Sequence, residues 1–246
     1  MKTAELIAIF ALCLAPLAAN ATPSTQVWIP STDIQKYKTF HLGADNYVPV
    51  KKEPDGTWKA PVYVIGPTVG VLPYERLQAE VGFDIVKAGL ATDSYPLYLH
   101  AKVGTPEGSL FAGSPALAVG GYNSGMKMKM TNQNILYGLA ARNVGKLGRL
   151  SAGYFSGNDK VLLDENGDKA NTGLLLSWDR TISEVSDKLW AAVDYQGGDS
   201  ALGALSFGVA WAFAPNTSVI FGYDTYNNDK IAGADTFTVQ LDINLW

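Results

Sequence analysis

One segment near the C-terminus decides the fold class: Ala204-Leu205-Ser206-Phe207-Gly208-Val209-Ala210-Trp211-Ala212-Phe213. Large apolar side chains occupy every second position from Leu205 to Phe213, and small side chains lie between them. Successive side chains of a β-strand point to opposite faces, so the segment predicts a strand with one apolar face and one face of small residues. A helix needs apolar residues three and four positions apart, and the segment lacks this spacing.

The same two-residue period recurs from about residue 40 to the end of the chain. The clearest further segments are residues 77–85, 97–103, 135–141, 189–195 and 237–245. The sequence predicts about twelve strands, at residues 37–47, 60–72, 76–88, 96–104, 114–122, 133–142, 148–157, 171–180, 187–196, 203–213, 216–226 and 235–246.

The connectors between these strands differ in length. The short ones are residues 73–75, 143–147, 181–186 and 214–215. The long ones are residues 48–59, 158–170 and 227–234. Short turns at one end and long loops at the other are typical of an outer-membrane barrel. The connector at 105–113 is longer than this rule expects, and the one at 89–95 is shorter.

The composition excludes several classes of function. The 246 residues carry a formal net charge of −4, which argues against duplex nucleic acid as a partner. Charged residues make up 17% of the chain, below the roughly 25% usual for soluble domains. The single cysteine, Cys13, lies in the segment predicted to be removed. We therefore expect no disulfides, thiolate nucleophiles or cysteine-bound metal sites in the mature chain, and no cofactor.

The N-terminus has the layout of a secretory signal peptide: Lys2, an apolar run over residues 6–17, and Ala19-Asn20-Ala21. We predict a signal peptide over residues 1–21 and a periplasmic tail or inserted plug over residues 22–36. Residues 37–246 are predicted to form one barrel domain.

Alternation alone does not distinguish a soluble β-sandwich from a membrane barrel, because both have one apolar and one polar face. Three features favour the barrel: small residues on the polar faces, aromatic residues near strand ends, and no charged residue on the clearest apolar faces. The aromatic residues are Tyr37, Tyr47, Tyr122, Trp178, Tyr195, Phe213, Tyr226 and Trp246. The predicted fold class is all-β, a single antiparallel transmembrane β-barrel of about 12 strands.

Over residues 37–246 the chain resembles bacterial outer-membrane β-barrel proteins of the porin-like class. The last strand, Phe237-Thr238-Val239-Gln240-Leu241-Asp242-Ile243-Asn244-Leu245-Trp246, ends on an aromatic residue and resembles the signal read by the barrel-insertion machinery. Its apolar positions are one residue out of phase with Trp246. Either Trp246 turns inward, a bulge shifts it, or Leu245 is the last outward residue. The resemblance implies the outer membrane of a Gram-negative bacterium.

The predicted strand phases place charges of opposite sign on opposite walls of the lumen. The basic wall consists of Lys102, Arg142 and Arg149. The acidic wall consists of Asp45, Asp194, Asp224 and Asp242. Opposed charged walls create a transverse field that orients polar solutes in a narrow pore. Alternatively, these residues pair across the lumen and close it.

The only histidines, His41 and His100, have no partner at metal-ligand spacing, so no metal site is expected. Outer-membrane phospholipases use a catalytic His–Ser pair. A lipid hydrolase of that kind would need His100 close to Ser124, and a carboxylate or amide that contacts the other side of the histidine ring. We expect no enzymatic activity.

The predicted function is a narrow passive channel for small polar solutes. The alternatives are a closed structural or partner-binding scaffold that acts through its outer loops, and the lipid hydrolase. The expected partners are outer-membrane lipid and lipopolysaccharide, the barrel-insertion machinery during biogenesis, and small polar solutes. The alternating methionines and lysines of residues 126–130 fit either a contact for lipopolysaccharide phosphates or a partner, or a strand extension above the membrane with a solvated basic edge.

Overall fold

Twelve antiparallel strands form a closed barrel in the computed structural model, which describes residues 24–245. The strands are β1 (Phe40–Pro49), β2 (Val62–Gly70), β3 (Gln78–Lys87), β4 (Leu97–Thr105), β5 (Ala116–Gly125), β6 (Asn132–Asn143), β7 (Arg149–Ser156), β8 (Thr172–Thr181), β9 (Leu189–Gln196), β10 (Ala204–Ala214), β11 (Thr217–Tyr226) and β12 (Thr236–Leu245). Each strand pairs with its sequence neighbours, and β1 pairs with β12, with Phe40 opposite Leu245. The predicted fold class and strand number are confirmed. The predicted signal peptide and Trp246 lie outside the described residues.

The two ends of the barrel carry different connectors. The end where β1 begins and β12 ends, here called the terminal end, has the connectors 71–77, 106–115, 144–148, 182–188 and 215–216. The opposite, far end has the connectors 50–61, 88–96, 126–131, 157–171, 197–203 and 227–235. The two-residue turn 215–216 and the long loop 157–171 follow the predicted asymmetry, whereas 106–115 and 126–131 do not.

Apolar side chains cover the outside of the barrel. Val119 is 62% exposed and Leu136 is 69% exposed, and similar residues recur on most outward strand faces. The inward faces are polar or small, as on β12, where Thr236, Thr238 and Gln240 are buried. Contact between such an outer surface and water is unfavourable, whereas contact with hydrocarbon is not.

The prediction of which β6 residues face the lumen is wrong. Ile135, Tyr137 and Leu139 face the lumen and are buried, whereas Arg142 lies on the exposed outward face near the strand's end. The apolar face of β6 packs against a chain segment inside the barrel rather than against lipid. Alternation shows that a strand has an apolar face but does not show what that face contacts.

Three of the aromatic residues listed near strand ends, where outer-membrane barrels carry an aromatic girdle at the membrane interface, also face inward. Tyr47, Tyr122 and Tyr226 line a cavity in the lumen. Phe213 is exposed on the outer surface, in agreement with the girdle.

Helices are short in the described part of the chain. Residues Ala91–Ser94 and Gly145–Leu147 form 3₁₀ turns, and Asp229–Ala232 form one α-helical turn. None of the helices among residues 24–245 has the length and apolar character required to cross a membrane.

Candidate functional site: the barrel lumen

Residues 24–35, here called the inserted segment, lie inside the barrel. The segment folds back on itself, since Ser31 N donates to Ser24 O at 3.1 Å and Gln26 N donates to Ile29 O at 2.8 Å. Val27 is 1% exposed and Ile29 is 0% exposed. The turn therefore occupies the lumen rather than its mouth.

Two apolar contacts fix the segment to one side of the lumen. Ile29 packs on a cluster from β6, β7 and β8: Ile135, Tyr137, Leu139, Phe155 and Leu175. Val27 packs on Trp190, Ala192, Ala210 and Ile220. Gly208 and Gly222 leave room for it, since a Cβ at Gly222 would lie 2.9 Å from Val27 Cγ1. The small inward residues of β10 and β11 thus accommodate the segment.

The acidic wall supplies acceptors for the segment's backbone. Asp194 Oδ2 accepts hydrogen bonds from Val27 N at 2.7 Å and from Trp28 N at 3.0 Å. A buried carboxylate and two buried N–H groups satisfy one another there. Asp224 instead accepts from Thr236 Oγ1 at 2.9 Å, and Asp242 lies 3.5 Å from His41. Asp45 lines the lumen cavity.

Lys102 of the predicted basic wall holds the inserted segment from the opposite side. Its ammonium lies 3.3 Å from Glu80, and it donates to the carbonyls of Ser24 at 3.1 Å and Ser31 at 3.2 Å. It also donates to the Asp33 carbonyl. Lys102 therefore has a full set of acceptors, most of them in the segment.

Arg149 also contacts the segment, near the terminal end. Its guanidinium lies 2.6 Å from Asp33 and 2.9 Å from Asp179. Asp179 in turn accepts from Gln26 Nε2 at 3.0 Å. Arg142 takes no part, because it lies on the outer face. Of the charges predicted to face each other across an open lumen, Lys102, Arg149 and Asp194 thus bind a chain segment between them.

The sequence did not indicate several residues of this arrangement. Gln240 Nε2 donates to the Val27 carbonyl at 2.7 Å, and Trp28 Nε1 donates to the Leu202 carbonyl at 2.9 Å. The Trp28 ring packs edge-on against Tyr47 and Tyr226 at 5.3 and 5.7 Å. The run Val27-Trp28-Ile29 is the signal that could have favoured a plug over a tail.

A cavity of about 350 Å³ remains beside the segment, against β1 to β5. Its polar part includes His41, Asp45, Thr68, Glu80, Asp84, His100, Lys102 and Asp242. Its less polar part includes Trp28, Tyr47, Val62, Val64, Val86, Tyr98, Tyr122, Tyr137 and Tyr226. A second cavity of about 820 Å³ lies at the terminal end, lined by residues that include Asp33, Arg149 and Asp179.

The two histidines lie on the cavity wall with defined partners. His41 Nδ1 lies 3.1 Å from Asn244 Oδ1. His100 Nε2 lies 2.9 Å from Thr68 Oγ1, and its Nδ1 lies 3.0 Å from Asp84 Oδ2. The hydroxyl at His100 is thus that of Thr68, and the Ser124 pair required by the hydrolase alternative is not formed. A bulge between Leu99 and Ala101 interrupts the β4–β5 register beside it. The structure shows no cluster of three or more metal-binding side chains within residues 24–245.

The far-end loops bind one another. Glu165 accepts hydrogen bonds from Asn228 at 2.5 Å and Lys230 at 3.1 Å, and Lys59 donates to the Ala232 carbonyl at 3.3 Å. Glu165's own backbone N–H and these donors lower the pKa of its carboxyl to about 2. The loop 227–235 therefore connects the loops 157–171 and 50–61.

Comparison with known proteins identifies the architecture but not a family. The KdgM porin has a TM-score of 0.52 at 9% identity, covering 85% of this chain and 99% of the porin. The chain has a porin-type barrel fold. An outer membrane channel from Pseudomonas putida F1 gives a TM-score of 0.48 at 12% identity, covering 94% of this chain and 100% of the channel. The NanC porin gives 0.46 at 10% identity, covering 83% and 99%. No protein-family model and no curated protein sequence matches the chain.

Proposed function

We propose that the protein is a passive channel of the bacterial outer membrane that conducts small polar solutes. The observation that carries the proposal is the cavity of about 350 Å³, lined partly by charged and polar residues, that is left between the inserted segment and the wall of β1 to β5. In a barrel that served only as a scaffold, an unfilled lumen beside charged residues would bring no stability, because the atoms that line an empty space lose van der Waals contacts.

The outer surface supports the membrane location. Its exposed apolar residues extend around the barrel, and a closed barrel leaves no unpaired strand edge in hydrocarbon. Outer-membrane lipid and lipopolysaccharide are the proposed surroundings of the folded chain, and the barrel-insertion machinery is its proposed partner during biogenesis.

A charge at the middle of β10 tests the membrane location. Val209 faces outward and is 46% exposed, so Val209→Arg is expected to destabilise the barrel in lipid vesicles by about 2–4 kcal/mol. Leu205→Arg, closer to the far end of the same strand, is expected to cost about 0–1 kcal/mol. Urea titrations of the refolded protein in vesicles measure both values. Equal, small effects at the two positions would exclude a midplane location for Val209.

The proposed mechanism is diffusion past the inserted segment. Lys102 and Arg149 already bind carboxylates and carbonyls, so they offer solutes little free positive charge. A solute in the cavity instead meets Asp45, Asp84 and the two histidines. Planar-bilayer recordings of the pure refolded protein test the function, and an absence of channel events in repeated insertions would contradict it.

A side chain that fills the cavity is expected to reduce conductance. Gly43 lines the cavity, and a Cβ there would have only ordinary contacts, 3.6 Å from His41 Nε2 and 3.9 Å from the Gly66 carbonyl. Gly43→Phe therefore projects a ring into the proposed path and should lower single-channel conductance severalfold. Gly138, on the outward face of β6, has open space at its Cβ. Gly138→Phe is the matched control and should conduct like the wild type; equal conductance of both variants would place the path elsewhere.

The scaffold alternative rests on one observation, the occupation of one side of the lumen by the inserted segment. It predicts no channel events from the intact chain and binding of a partner through the far-end loops. The same bilayer recordings therefore distinguish it from the channel.

A further inference from the structure

We propose that a recess in the lumen wall over Gly43 binds small organic cations and makes the channel selective for them. The selectivity rests on the proposed channel function, whereas binding in the recess can be measured without it.

The recess has a floor without side chains. Gly43 and Gly66 are directly opposite each other in the β1–β2 ladder. The Asp84 carboxylate lies over Gly66, in the place that a Cβ there would occupy. The nearest atoms to a Cβ at Gly43 are 3.6 Å or more away. Gly43 thus leaves a shallow space that opens into the cavity, and the Asp84 carboxylate borders that space on the Gly66 side.

Carboxylates surround this floor. Asp45 follows Gly43 on the inner face of β1, Asp242 is opposite Gly43 in the β1–β12 ladder, and Asp84 comes from β3. The described lining of the cavity contains four acidic residues, Asp45, Glu80, Asp84 and Asp242, and Lys102 as its one lysine or arginine. Since Lys102 is bonded to Glu80, the other three acidic side chains outnumber the remaining basic groups of this wall, His41 and His100.

One carboxylate oxygen lacks a well-formed hydrogen bond. Asp242 is 4% exposed and lines the cavity, and its Oδ2 has no donor in good hydrogen-bond geometry among the described residues, although the Ser218 hydroxyl, opposite it in the β11–β12 ladder, interacts with the carboxyl group. A buried carboxylate oxygen without a donor is costly, and an ammonium group supplies that donor. His41, 3.5 Å from Oδ1, leaves Oδ2 for a ligand.

The rest of the cavity suits the organic part of such a cation. Tyr47 lies two residues beyond Asp45 on the same face of β1, and Trp28 packs between Tyr47 and Tyr226. Aromatic faces attract ammonium groups, and aliphatic side chains such as Val62 and Val64 bury apolar surface. A primary amine with one ring matches this combination better than a sugar or an inorganic anion does.

Binding is tested by calorimetry on the detergent-solubilised full protein with benzylamine, benzyl alcohol and benzoate. These probes have similar size and differ in charge. Benzylamine is expected to bind at least about tenfold more tightly than benzyl alcohol, and benzoate more weakly still. Asp45→Asn and Asp242→Asn should each lower the benzylamine affinity by about threefold or more. Asp187→Asn, which removes the same charge from an exposed turn, should match the wild type.

Reversal potentials in a KCl gradient separate the two proposals. Cation preference that decreases in Asp45→Asn but not in Asp187→Asn supports the inference. Conductance without cation preference, or equal affinity for benzylamine and benzyl alcohol, overturns the inference and leaves the channel function standing. An absence of conductance overturns the channel function, and the calorimetry still decides the binding site. The heat-dependent gel mobility of each variant verifies that it is folded, and either aspartate variant suffices if the other does not fold.

Discussion

Removal of residues 24–35 is expected to increase single-channel conductance severalfold. The inserted segment occupies the side of the lumen next to β6 to β11, where Val27 and Ile29 are buried. A chain that begins at Lys36 keeps every strand, and water enters the vacated space, where Asp194, Lys102 and Gln240 offer it hydrogen bonds beside the apolar residues that had contacted Val27 and Ile29. The cross-section available to ions then includes both sides of the lumen. Planar-bilayer recordings of the shortened chain measure the change.

The shortened barrel is expected to remain folded. Lys102 keeps its ion pair with Glu80, and Arg149 keeps its pair with Asp179. The loss includes the burial of Val27 and Ile29, about 1.5–3 kcal/mol for each side chain, and the hydrogen bonds of Asp194 and Lys102 to the segment, which water replaces. Conductance equal to that of the full chain would show that ions do not pass beside the segment.

A disulfide supplies the matched control. A Cβ at Gly222 would lie 2.9 Å from Val27 Cγ1, so Val27→Cys with Gly222→Cys brings two sulfurs within bonding reach. The oxidised variant holds the segment in place and should conduct no more than the wild type. An increase on reduction would show that the segment leaves the lumen when it is not tethered.

The strands were predictable because the information that specifies them is local. Alternation over eight or more residues, as at 204–213, follows from strand geometry whatever the surroundings. Which face of β6 points into the lumen was not predictable from local alternation. Ile135 and Tyr137 are apolar because they contact Ile29, which is more than one hundred residues distant in the sequence.

The charged residues of the lumen illustrate the same limit. The predicted inward positions of Lys102, Arg149, Asp194 and Asp242 agree with the structure, whereas Arg142 faces outward. Their partners could not be inferred, because residues 22–36 fitted either a tail or a plug. The backbone N–H groups of Val27 and Trp28 need acceptors only once the segment is buried, and no local sequence pattern indicates which side chains supply them.

The second large effect is expected from Lys102→Met. Lys102 is buried with Glu80 and donates to three carbonyls of the inserted segment. Its loss leaves the buried Glu80 carboxylate without a counter-ion, although Ser24 Oγ and Gln35 N still donate to it, and is expected to destabilise the protein by about 3–5 kcal/mol. Urea unfolding in vesicles measures the cost. Faster proteolytic cleavage within residues 24–35 reports release of the segment.

Glu80→Gln in the same chain separates the charge from the other contacts. The double variant has no unpaired charge, so it should recover part of the stability that Lys102→Met loses. Lys188→Met, at an exposed position, is the control and should change stability by less than about 0.5 kcal/mol. If Lys102→Met is as mild as Lys188→Met, the ion pair does not hold the segment. If Glu80→Gln recovers nothing, the carbonyls of Ser24, Ser31 and Asp33 account for the effect of Lys102, and the segment depends on hydrogen bonding rather than on charge balance.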